Sequence, residues 1–215
     1  MANFGGPSSL RTSFSAPLSV VSYRAMASVF SHAIVAASVG TAFWRSGVSI
    51  RFWALGALFS VLPDVDVVGF GLGIQYGDLL GHRGLTHSFA FAAVMATIGS
   101  FLCVGRSAGQ PGRGMAWFYF FLATASHGLL DAMTDGGLGV AFFSPFSNAR
   151  YFLPWRPIVV SPIGVAEFFS ERGLSVLQSE FKWIWLPAAI FAILALVVRR
   201  RRMGPGVGMK RPKLS

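Results

Sequence analysis

Cysteine is nearly missing from this chain. Cys103 is the only one, so no intramolecular disulfide can form, and its position inside an apolar run marks it as a small core residue. Charge is scarce as well. Only 12% of the 215 residues are Asp, Glu, Lys or Arg, about half the roughly 25% of a soluble domain. Mean hydropathy is +0.59. These values exclude an ordinary water-soluble domain and imply one membrane-embedded domain. No convincing small-residue cleavage site precedes the first apolar run, which argues against a cleaved signal peptide.

What charge there is lies unevenly. Net charge is +10, yet between residues 60 and 140 five Asp face only Arg83, Arg106 and Arg113, a local net of −2. The positive excess lies elsewhere, notably in Arg199–Arg202 and in Lys210, Arg211 and Lys213. Arginine beside an apolar span is what membrane orientation requires, so nucleic acid is not the expected partner.

The organisation follows from hydropathy. Residues 1–24, rich in Ser, Gly and Pro, form an N-terminal leader expected to be disordered; 25–200 form the membrane domain; 201–215 form a basic tail. Apolar runs over about 26–44, 85–104, 115–134 and 183–198 approach the length of about 20 residues that a bilayer demands. A fifth run, Phe52–Pro63, covers only about 18 Å at ~1.5 Å per residue and spans only if it extends back through Val48 or forward past Asp66. The expected fold is all-α, a polytopic transmembrane bundle of about five spans. The segment 136–182, with its FFSPFSNARYFLPWRP stretch and an amphipathic helix over about Val165–Lys182, reads as an interfacial cover.

Histidine is rarer than charge. The four are His32, His82, His87 and His127, each in a short polar motif cut into apolar sequence. Imidazoles and carboxylates in apolar helices are costly unless they share a partner, and a shared metal ion is the simplest one. In an up-down bundle with five spans, the starts of odd helices and the ends of even ones share a face. His32, the Asp64/Asp66 pair, the His82/His87 pair and the His127/Asp131/Asp135 group then meet there. Arg45, Arg51, Arg106, Arg113, Arg199–Arg202 and the tail fall on the other face, eleven of the 18 Lys and Arg. That face is expected to be cytoplasmic, with the motifs and the N-terminus exoplasmic.

Each motif has its own chemistry. His127 and Asp131, four apart on a helix, share a face and suit Zn²⁺. Asp135 falls where that helix should end and opposes its dipole, so a cation or donors from Gly136 and Gly137 should offset it. In Pro63-Asp64-Val65-Asp66, an extended chain points both carboxylates the same way; both can reach one site, or one can orient a ligand. His82 and His87, five steps apart, lie about 140° apart on a helix and so do different jobs, one a ligand, the other a second ligand or a proton carrier. Arg83 between them offers a planar fork to an anion, and Thr86 is a candidate helix cap.

These motifs, PDVD, GHRGLTHS and SHGLLDAMTDGG with an early SH, resemble the YdjM-like family of membrane-bound proteins regarded as metal-dependent hydrolases. The resemblance covers about residues 26–200, and a more distant likeness runs to zinc-dependent phospholipase C. It implies a helical fold with clustered zinc. By motif, His127 and Asp131 match the HxxxD ligand pair, Asp64 the upstream bridging carboxylate, His82 or His87 the intervening ligand and His32 the early one. No His follows His127, so the later ligand set of phospholipase C is missing, and one or two ions fit better than three.

The site so expected puts a divalent metal, Zn²⁺ first, on His32, Asp64, His87, His127 and Asp131. His82, Asp66 and Arg83 handle protons and the anion, with Asp135 and Ser88 supporting. The expected function is a multi-pass bacterial inner-membrane hydrolase acting on a phosphoester of a lipid or lipid-linked phosphate. The alternatives are a divalent-metal transporter or sensor, and a membrane-anchored binding protein with a structural metal.

Overall fold

The computed structural model of the chain describes residues 24–43, 48–103, 111–162 and 171–203. The leader up to residue 23, Arg45, Arg106, residues 163–170 and the tail from residue 204 lie outside the described residues.

Helix α1 runs Val29–Phe43. Helix α2, Ile50–Val61, does not stop at Pro63. Proline lacks the N–H that the helical ladder needs, and there the chain tightens into a 3₁₀ turn, Leu62–Val67, before the short α3, Val68–Gly71. The path is therefore helical over Ile50–Gly71, 22 residues, and carries both Asp64 and Asp66. This corrects the extended geometry expected for that pair. Helices α4, Phe89–Cys103, and α5, Arg113–Ala132, follow.

The final helix differs from expectation in length. Helix α6, Glu171–Glu180, runs through a π turn, Phe181–Trp185, into α7, Leu186–Met203. The separate amphipathic helix and the last apolar run thus form one rod. The π turn directly precedes Pro187, whose ring would clash with the carbonyl four residues back in a regular helix; the wider turn lets the helix continue. Strand β1, Arg24–Met26, pairs antiparallel with β2, Ser161–Pro162, and brings the start of α1 to the segment before α6.

Helix α5 is the hub and packs on α1, α2 and α4, while α7 packs on α1. The core joins Tyr119, Phe120, Ala116 and Ala123 of α5 to Phe52 and Phe59 of α2, Ala36 of α1 and Met95 of α4. Outside, apolar side chains are exposed on every long helix, among them Phe30, Leu58, Phe101, Phe118 and Leu194. Inside, His32, Arg83, His127 and Asp131 have no exposed surface. Greasy outside and polar within is the arrangement suited to lipid. Two helices, Ile50–Gly71 and Glu171–Arg201, are long and apolar enough to cross a membrane. Helices α1 and α4, with 15 residues each, reach about 22 Å at ~1.5 Å per residue.

The segment after α5 closes over the polar end of the bundle. Val140 pairs with Tyr151 and Thr134 with Ile158. The Ala141 amide donates to the Arg83 carbonyl at 3.0 Å, and Arg150 donates to the carbonyls of His82 at 2.9 Å and Tyr76 at 2.8 Å. Gly139 sits at φ +81°, where a Cβ would lie 2.9 Å from the Tyr151 carbonyl oxygen, so only glycine lets these two stretches meet.

Candidate metal centre

Four side chains from three parts of the chain point at one place. Asp64 comes from the 3₁₀ turn after α2, His87 from a short turn before α4, and His127 and Asp131 from one face of α5. Small residues allow the approach. Gly128 backs onto the His87 turn, and a Cβ there would lie 2.8 Å from the His87 carbonyl.

The distances are those of a coordination shell. His87 Nε2 and His127 Nε2 are 3.0 Å apart. Asp64 Oδ1 lies 3.2 Å from His127 Nε2 and 3.6 Å from His87 Nε2. Asp131 Oδ2 lies 3.3 Å from His87 Nε2 and 3.7 Å from His127 Nε2. Zinc bound tetrahedrally at ~2.0–2.1 Å puts its ligand atoms about 3.3 Å from one another, in the middle of these values. All four atoms lie within 4.8 Å of one another.

Each imidazole is fixed as an Nε2 ligand. His127 Nδ1 donates to the Ser60 carbonyl at 2.7 Å, and His87 Nδ1 faces Asp66 Oδ2 at 3.2 Å. The Ser60 carbonyl thus fixes the His127 tautomer with its Nε2 lone pair toward the cluster, while His87 Nδ1 also lies 3.1 Å from the Thr86 hydroxyl. A proton or a metal ion can lie between the two Nε2 atoms, and holding the distal nitrogen in this way is how proteins orient metal-binding histidines.

Charge tells the same story. The carboxylates of Asp64, Asp66 and Asp131 outnumber the guanidinium of Arg83 in the buried cluster, an excess of negative charge that favours a cation or a proton on the imidazoles. Burial alone would push the His87 imidazole down, but Asp131, Asp64 and Asp66 around it prevail and hold it well above the ordinary histidine range.

Asp66, His82 and His87 form a second cluster of potential ligands, but of a different kind. His82 Nδ1 to Asp66 Oδ1 is 2.6 Å, a hydrogen-bond distance too short for two ligands of one ion. Asp66 also accepts from the Thr86 hydroxyl at 2.7 Å and the Arg83 amide at 3.2 Å. It is a buried acceptor that orients His87 on one side and His82 on the other.

A family model described as YdjM inner membrane protein matches residues 26–203. The chain belongs to that family. Inner membrane protein YbcI of Escherichia coli (strain K12) is 37% identical over 147 residues, which is 68% of this chain and 83% of that protein. No solved structure matches.

In this member of the YdjM family the remaining expected site residues stand around the four-atom group rather than in it. His32 lies in the first turn of α1, near the helix start as expected, and stacks on His127 with ring centroids 3.7 Å apart. Its nitrogens are outside the convergent set, and neither has a hydrogen-bond partner among the described residues. Arg83 is aimed inward: Nε is 3.2 Å from Asp131 Oδ2, and the other two nitrogens donate to Gly136 O and Thr134 Oγ1, both at 3.0 Å. It holds Asp131, at a backbone φ of 61° that costs a non-glycine residue about 1–2 kcal/mol.

Ser88, not Thr86, caps α4: its Oγ accepts the Phe91 amide at 3.1 Å, and Thr86 instead binds Asp66. Asp135 lies beyond the end of α5, so the dipole argument does not apply to it. Its Oδ1 accepts the Val160 amide at 2.8 Å and ties down the covering segment. Sequence reasoning missed Arg150, Ser60 and Glu180. Arg150 carried a signal, one of two arginines within an aromatic stretch. Ser60 acts through its backbone and carried none.

Proposed function

We propose that this YdjM-family protein is a membrane-bound metal-dependent hydrolase whose ion rests on Asp64, His87, His127 and Asp131. The convergence of two imidazole nitrogens and two carboxylate oxygens within 4.8 Å of one another is the observation that carries the reading. Mixed nitrogen and oxygen donors suit Zn²⁺. When bound, such an ion supplies Lewis acidity and activation of water near neutral pH.

The chain's own groups have distinct tasks. Asp66 fixes the His87 ring, and the His82–Asp66 pair can hold a proton beside the centre. Arg83 fixes Asp131, and the covering segment excludes bulk water. Two features favour catalysis over a purely structural ion. Asp64 Oδ2 and both His32 nitrogens are buried without hydrogen-bond partners among the described residues, polar capacity that a closed structural site would not leave unused. The substrate class that fits a lipid-facing protein with a buried dication is a phosphoester of a lipid or lipid-linked phosphate. The arginines ending α7 support a cytoplasmic C-terminus, with the centre on the exoplasmic side of a multi-pass inner membrane protein.

The test is metal content and phosphoester turnover of the detergent-purified protein beside His127→Ala. Zinc and turnover in the wild type, with both lost in the variant, are expected. Turnover equal in the two proteins overturns the hydrolase. One observation favours a second reading: four protein donors converge, the number that structural zinc sites use. Metal bound without turnover on any phosphoester would decide for that reading.

A further inference from the structure

Glu180 is the least expected buried group in the molecule. It ends α6 where the helix enters its π turn, and it has no exposed surface. A carboxylate so placed is costly unless its oxygens are fully engaged, and π turns recur at functional positions. Its oxygens reach back more than a hundred residues to the start of α1. Oε1 accepts the Ser28 amide at 2.5 Å, and Oε2 accepts the hydroxyls of Ser28 and Ser31. Trp185, one turn further along, donates its indole N–H to the same Ser31 Oγ at 2.7 Å.

The neighbouring amide leads to the proposed centre. Ala27 N–H donates to Asp131 Oδ1 at 3.0 Å, and Ser28 N–H donates to Glu180. Two successive amides thus bridge a ligand of α5 to the root of the terminal helix. Pinning Oδ1 of Asp131 leaves Oδ2 turned toward His87 and His127. Were this a matter of helix packing alone, an apolar contact would serve as well as a buried carboxylate. The bidentate form of Glu180 instead fixes the direction of the amide pair.

From this geometry we infer that Glu180 is a positioning residue for the metal centre: through the Ala27–Ser28 amides it sets the orientation of Asp131. The inference rests on the proposed metal site and extends it to the terminal helix. Outer groups that orient a ligand typically change metal affinity about 10–100-fold.

Co²⁺ is the probe, because its visible spectrum reports ligand geometry directly. Purified full-length protein is titrated with Co²⁺ in wild-type form and as Glu180→Ala, Glu180→Gln, Ser28→Ala and Ser38→Ala. Ser38 also ties α1 to α7, its hydroxyl donating to the Ala188 carbonyl at 2.6 Å, but it touches neither amide. Expected are a tetrahedral Co²⁺ spectrum in the wild type, affinity at least tenfold weaker and an altered spectrum in Glu180→Ala, partial recovery in Glu180→Gln, and no change in Ser38→Ala. Wild-type affinity and spectrum in folded Glu180→Ala overturn the inference, as does an equal loss in Ser38→Ala, which would reduce it to packing. If Glu180→Ala does not fold, Glu180→Gln and Ser28→Ala decide by the same criteria. A wild type that takes up no Co²⁺ removes the metal site itself, a separate failure.

Discussion

His87 Nε2 and His127 Nε2 approach to 3.0 Å while each ring's Nδ1 is held by another group, Asp66 Oδ2 and the Ser60 carbonyl respectively. His127 therefore turns its Nε2 lone pair toward His87 Nε2, and a proton or a shared ion can join the two nitrogens. Replacing either by Gln removes one donor of the convergent set. Affinity for Zn²⁺ or Co²⁺ is expected to fall by more than the roughly 100-fold limit typical of outer groups. Competition with a chromogenic chelator measures it, and affinity within a factor of two of wild type would refute the site.

Asp66→Asn keeps the shape but loses a negative acceptor shared by His82, His87 and Thr86. Metal affinity should drop about 10–100-fold with the helical content unchanged. An unchanged affinity would show that Asp66 serves only the loop fold.

Acidity competes with the metal at His87. Its folded-state pKa is raised, so in the metal-free protein the protonated ring contributes stability below the ordinary histidine value. That contribution is lost as pH climbs through the raised one. A dication displaces the proton, so metal affinity should increase with pH over the same window. Calorimetry in buffers of different ionisation heat would register the released proton, and a pH-independent affinity would exclude His87 as ligand.

Arg83→Met leaves Asp131 without its guanidinium. Removing one partner of a buried pair costs about 3–5 kcal/mol. In the metal-free protein this should appear as a clear drop in thermal midpoint, partly restored by Zn²⁺. A midpoint equal to wild type would show that the pair carries no stability.

Gly128→Ala presses a methyl against the His87 carbonyl. Overpacking of this kind costs about 1–3 kcal/mol. Because the strained contact is the His87 turn itself, metal affinity should weaken along with stability. Loss of stability alone would show that the turn relaxes without moving the ring.

Much of this was legible in the residues. Helical spacing alone puts His127 and Asp131 on one face, and both lie in the cluster. The five-step separation of His82 and His87 implied different roles, and His87 joins the four-atom group while His82 pairs with Asp66. What failed to show depends on long-range packing. Pro63 sits in a 3₁₀ turn instead of an extended segment, because the helical path of α2 continues through it. Depth along α1 did not reveal that His32 would stack on His127 rather than aim a nitrogen at the centre. Glu180 looked like the polar face of an amphipathic helix, because nothing local announces that Ser28 and Ser31 wait for it 150 residues upstream.

The Ala27–Asp131 and Ser28–Glu180 bonds join positions 104 and 152 residues apart. A ribosome delivers those partners in sequence. Until position 180 has emerged and its helix has docked, the Ser28 amide at the start of α1 lacks the partner it has in the folded protein. The surroundings of Asp131 are therefore complete only once the last helix has docked, after Asp64, His87, His127 and Asp131 themselves have been made.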